Sequence, residues 1–62
     1  MRLDMIRIKA AQISIGDTLC FPNPAMDFEV VCIYRRMDGR LVFNENAGWP
    51  VEPSDYVFRK VA

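Results

Sequence analysis

The 62-residue sequence contains no histidine. That removes the side chain most often used as a general base, as the partner of a nucleophile and as a metal ligand. It has only two cysteines, Cys20 and Cys32, and without further thiols or imidazoles these cannot complete a four-ligand structural zinc site. Both lie in apolar strand-like runs, where a free thiol serves as a small buried hydrophobe. No glycine-rich phosphate loop is present. No stretch approaches the roughly 20 apolar residues of a membrane helix. The first ten residues carry Arg2, Asp4, Arg7 and Lys9 and no apolar run, so no secretory leader is expected. Eight basic and eight acidic residues cancel, leaving no long-range attraction to nucleic acid or anionic membrane, though a local basic patch is still compatible with that sum. The carboxylates fall mostly in turns, with no pair spaced for metal or acid–base work. The expectation is a cytoplasmic protein with reduced thiols, no cofactor, no metal and no catalysis.

What is present is a high apolar fraction, 52%, enough for a core in one small domain spanning 1–62. A domain this size hides only about 60% of the surface its unfolded chain exposes, so it has little stability to spare. Residues 28–44, FEVVCIYRRMDGRLVFN, read as a β-hairpin turning at Asp38-Gly39, a dipeptide suited to tight turns. Two registers fit. A two-residue turn sets Tyr34 opposite Phe43, and a three-residue turn with a glycine bulge sets Ile33 there instead. Residues 30–34 are apolar on both pleat faces, as expected of a strand covered on both sides or of one with a second, partner-binding surface.

Shorter strands flank this hairpin. Residues 6–9 alternate with period two, and Ala10-Ala11-Gln12 suits one helical turn. Gly16-Asp17 turns the chain into a strand over residues 18–21, which Pro22-Asn23-Pro24 stops. Residues 48–51 predict an edge or bulged strand because of Pro50. Pro53-Ser54-Asp55 predicts a tight helical turn, and residues 56–61 a closing strand with Tyr56, Phe58 and Lys60 on one face. The fold class is therefore all-β: a single small barrel of five to six short antiparallel strands with one short helical turn.

The segment Gly48-Trp49-Pro50-Val51-Glu52-Pro53-Ser54-Asp55-Tyr56-Val57 resembles the end of an Src-homology-3 domain, where a Pro-Ser-Asn-Tyr-Val turn leads into the last strand. Ile13-Ser14-Ile15-Gly16-Asp17-Thr18-Leu19 is similar to that family's diverging turn. The family's Ala-Leu-Tyr-Asp-Tyr opening, its long acidic loop and its paired tryptophans are absent here. The resemblance thus implies an Src-homology-3-like barrel without the eukaryotic proline-peptide groove, and fold likeness alone does not fix function.

Two surfaces stand out. Pro53 and Tyr56 fall where the family's groove-lining proline and tyrosine fall, and with Trp49 and Tyr34 they form a candidate partner-binding site. The plainer reading is that these aromatics close a small core. Arg35, Arg36 and Arg40 near the hairpin tip, with Arg59 and Lys60 on the last strand, form a nucleic-acid-binding patch if those strands are neighbours. The plainer reading there is ordinary solvated turn and edge chemistry. The leading expectation is a non-enzymatic module that binds or inhibits a larger protein, of a build common among phage and mobile-element proteins. Nucleic-acid binding is the alternative, and a homodimer through an open sheet edge is a related arrangement.

Overall fold

The computed structural model describes residues 2–61 and is all-β. Six short strands occur in chain order: β1 (Met5–Lys9), β2 (Thr18–Cys20), β3 (Phe28–Glu29), β4 (Ile33–Arg35), β5 (Leu41–Phe43) and β6 (Tyr56–Lys60). They pair antiparallel in two sheets, one of order β1-β6-β2-β3 and one consisting of the β4-β5 hairpin. Two 3-10 turns, Ala10–Gln12 and Pro24–Met26, complete the regular structure. The two sheets do not merge into one closed ladder. A single bridge between Leu41 and Val51 ties the hairpin to the segment before β6. No helix among the described residues is long and apolar enough to cross a membrane.

Alternation dictates which residues turn inward. In the β1–β6 register Ile8 lies opposite Val57 and Arg7 opposite Phe58, so Ile8 and Val57 share the core face and Arg7 and Phe58 the outer one. The core gathers Ala10, Ile13, Leu19, Val30, Leu41, Phe43, Val51 and Val57. Phe43, Leu19, Val30 and Val42 are fully buried.

The segment expected as one continuous hairpin is broken on its first arm. Val30 finishes the β2–β3 ladder, donating to the Asp17 carbonyl (2.8 Å) and accepting from the Gly16 N–H (2.8 Å). The chain then leaves that sheet. Asn44 holds the crossing: its Oδ1 accepts from the N–H groups of Val31 (2.7 Å) and Cys32 (3.3 Å), and its Nδ2 donates to the Glu29 carbonyl (2.7 Å). The apolar run 30–34 is therefore not one strand: residues 30–32 make the crossing, and Ile33 and Tyr34 already pair in β4. Val30 is buried in the core, whereas Val31 is largely exposed.

Of the two hairpin registers, the protein adopts the three-residue turn, with Ile33 opposite Phe43 and Tyr34 opposite Val42. Arg36 N–H donates to the Arg40 carbonyl (2.7 Å) and Gly39 N–H to the Arg36 carbonyl (2.9 Å). Gly39 has φ +90°, a conformation that a Cβ would strain, and the Asp38 carboxylate accepts from Arg40 N–H (3.0 Å). This register puts Ile33, Leu41 and Phe43 towards the core. Residues 48–51 contribute one bridge rather than a strand. Residues 52–55 close with an Asp55 N–H to Glu52 carbonyl bond (3.0 Å), a plain turn instead of a helical one.

Candidate binding groove

The chain emerging from β5 reverses through Asn44 and Glu45, both in the left-handed region (φ +54° and +58°). Asn46 N–H then donates to the Phe43 carbonyl (3.0 Å) and Trp49 N–H to the Asn46 carbonyl (3.1 Å). This reversal swings Trp49 back over the end of the core. Its ring lies 5.7 Å from Phe21, 6.2 Å from Phe43 and 6.4 Å, edge-on, from Phe28. Such offset and edge contacts are the favoured arrangements of aromatic pairs. Phe43 is buried, while Trp49 and Phe21 are half-buried.

The Phe21–Trp49 ridge borders two open apolar hollows. One, of ≈ 210 Å³, runs between that ridge and Tyr56 and Phe58 on β6, with Cys20 and Pro22 in its lining. The other, of ≈ 340 Å³, lies on the far side against Met26, Phe28 and Asn46. Tyr56 and Phe58 reach the first hollow because alternate residues of β6 share a face. They are 54% and 38% exposed, so they are not spent on the core. The Arg7 guanidinium sits 3.9 Å from the centre of the Tyr56 ring.

A charged clasp holds one wall of this groove. Arg2 donates to both Asp27 oxygens (2.7 and 2.9 Å), to both Asp4 oxygens (3.0 and 2.8 Å) and to the Phe21 carbonyl (2.7 Å). Asp27 also accepts from the Phe21 N–H (3.1 Å). Both backbone groups of Phe21 are therefore fixed by one ion pair whose fork-like geometry suits arginine. Hydrogen bonds from Arg2 hold Asp27 and Asp4 below the usual carboxylate range, and those same bonds raise Arg2. Burial pushes the Cys20 thiol up, and the nearby Asp27 charge adds to it. Cys20 is thus a protonated thiol in the wall at neutral pH, the opposite of an activated nucleophile.

The clasp predicts an acid-sensitive fold. Carboxylates with lowered folded-state values contribute stability that is present above their unfolded value, about 3.9, and is lost as pH falls through the folded one. The thermal midpoint should hold steady from neutral pH down to about pH 4 and then drop. In Asp27→Asn the neutral-pH midpoint should be lower and the acid drop shallower. Circular dichroism melts across that range check both.

The structure places the residues singled out from the sequence as follows. Trp49 and Tyr56 meet in the lining of one groove. Pro53 is half-buried in the 52–55 turn, its carbonyl accepting from Ala11 N–H (3.0 Å). Tyr34 is 44% exposed on β4, in the other sheet. Arg36 pairs with Asp38 (3.3 Å) and Arg40 with Glu52 (3.0 Å) at the hairpin tip, with Arg35 exposed beside them. Arg59 and Lys60 lie on β6, in the four-stranded sheet, and border a shallow hollow with Gly16, Asp17 and Thr18. Phe21 and Phe58 complete the groove without having been singled out. Phe58 shares the face of Tyr56, a signal that period-two reading contains.

Comparison of the chain with protein-family models, with curated proteins and with solved structures found no match.

Proposed function

We propose that this protein is a non-enzymatic binding module, built as an Src-homology-3-like small barrel, that acts through contact with a larger protein. The groove between the Phe21–Trp49 ridge and Tyr56–Phe58 receives an extended apolar or proline-containing segment of that partner. The observation that carries this reading is the open groove itself: four aromatic rings line it, and two of them, Tyr56 and Phe58, stand clear of the core. Flat aromatic walls grip extended peptides at low entropic cost and are enriched in binding hot spots. The Pro53-Ser54-Asp55-Tyr56-Val57 turn and the Gly16-Asp17 turn, in that family's order around a hairpin, support the barrel type.

Nucleic-acid binding has less support. Two of the three hairpin-tip guanidiniums are already paired with carboxylates, and Arg59 and Lys60 lie on β6, in a different sheet from the β4-β5 hairpin.

Capture from the host lysate, with and without nuclease, tests the reading. The wild-type chain should retain one protein in near-stoichiometric amount that survives nuclease. Tyr56→Ser, at an exposed position, should weaken that binding about ten-fold or more and leave the melting midpoint nearly unchanged. Retention that vanishes with nuclease would move the weight to the basic residues.

A further inference from the structure

β1 is one of the two outer strands of the four-stranded sheet. Among the described residues it pairs with β6 alone. At its two ends, Asp4 accepts from Val61 N–H (2.8 Å) and Ala10 N–H donates to Asp55 (2.8 Å). Antiparallel ladders bond alternate residues, so the backbone groups of Asp4, Ile6, Ile8 and Ala10 point to β6. Those of Met5, Arg7 and Lys9 point away from it. Lys9 N–H is taken by the Gln12 side chain (3.1 Å), while Met5 and Arg7 keep both of their outward groups unpaired among the described residues. Such an edge is a template for a further strand.

The side chains along this edge state what that strand must carry. On the outer face stand Arg7, whose guanidinium lies over the Tyr56 ring, and Lys9, neither with a carboxylate partner among the described residues. On the inner face Ile6 remains 38% exposed at the rim of the core. A second copy is a poor occupant. Antiparallel self-pairing centred on Arg7 sets Arg7 against its own symmetry mate, and like charges directly opposite are destabilising. We propose that β1 is an interaction edge for an extended segment of another protein in which acidic and apolar residues alternate. Its acids face Arg7 and Lys9, and its apolar residues extend the row begun by Ile6. This edge adjoins the aromatic groove through the Arg7 guanidinium over the Tyr56 ring; Tyr56→Ser separates the two, since it should weaken binding in the groove and leave binding of such a segment at β1 in place.

The test uses two synthetic peptides, one of alternating Glu and Val and one of alternating Lys and Val, titrated into the isotope-labelled protein and followed by amide NMR. The Glu–Val peptide should shift the Met5 and Arg7 amides and slow their hydrogen exchange, and the Lys–Val peptide should not. Reversing Arg7 and Lys9 together to Glu should weaken Glu–Val binding about ten-fold or more and create Lys–Val binding. Met5→Pro deletes an outward N–H without touching the β1–β6 bonds, and it should abolish Glu–Val binding while the spectrum stays folded. Equal binding of the two peptides would overturn the proposal. So would shifts confined to the Trp49 and Tyr56 groove, no shift at Met5 and Arg7 at millimolar peptide, or a peptide-free dimer paired through β1.

Discussion

Replacing Phe43 by Ala is expected to leave the chain largely unfolded at room temperature. Phe43 is fully buried on β5 and touches the core on one side and the Trp49 ring on the other. Deleting a buried phenyl ring costs about 3–5 kcal/mol, part of it lost transfer energy and part the cavity left behind. At the usual stability per residue, a domain of this length has a total of roughly 3–9 kcal/mol; the loss takes from a third to all of it, and a domain this small lies toward the low end. Phe43→Leu keeps much of the volume and should stay folded with a lower urea midpoint. Circular dichroism with urea titration distinguishes the two. If Phe43→Ala unfolds at the wild-type midpoint, the core is not where it is described.

Asn44→Ala carries the second-largest expected cost, about 3 kcal/mol, from three lost hydrogen bonds at roughly 1 kcal/mol each, reduced by partial solvent access, plus the strain of a left-handed Ala. The donors it abandons, at Val31 and Cys32, mark the place where the chain passes between the sheets. Asn44→Gly removes the same bonds but relieves the backbone, since the position has φ +54°. It should therefore be more stable than Asn44→Ala by about 1 kcal/mol. Asn44→Asp keeps the acceptor but sets a carboxylate against the Glu29 carbonyl that Nδ2 now serves, so it too should lose stability. Equal stability of Ala and Gly at this position would show that the backbone strain is absent.

The strands that follow local rules were legible from the sequence. Period-two alternation located β1 and β6, and proline and glycine placement bounded β2. The Ala10–Gln12 turn was also readable. The break between β3 and β4 was not, because it is enforced by a side-chain amide 12 and 13 residues further along. No local pattern encodes that distance. The hairpin register stayed open because Asp38-Gly39 suits both turns. Burial of Ile33 against Phe43 accompanies the register adopted, and that is a property of the assembled core.

The groove shows the same division. Trp49 and Tyr56 were singled out for their chemistry and do meet. In the sequence Phe21 reads as the end of a strand; its place in the groove wall is set by the Arg2–Asp27 clasp on its backbone, whose partners lie 25 residues apart. Tyr34 carries the same aromatic signal as Tyr56 but emerges on the other sheet, and side-chain type alone does not separate the two. Charge is subject to the same limit. Arg36 and Arg40 read as patch residues in the sequence, yet folding brings Glu52 to Arg40 and the turn brings Asp38 to Arg36.

On the proposed function, the partner's segment sits in the hollow between the Phe21–Trp49 ridge and Tyr56–Phe58. Trp49 is the sole tryptophan of the chain and it is half-exposed at the groove, so its fluorescence reports on that surface. The decisive measurement is a titration of this protein with the captured partner, or with a tryptophan-free segment of it, read at the Trp49 emission. The expected result is a saturable blue shift as the apolar segment displaces water from the ring, abolished in Tyr56→Ser at the same concentrations. Saturable binding with unchanged Trp49 emission, equally strong in Tyr56→Ser, would contradict it.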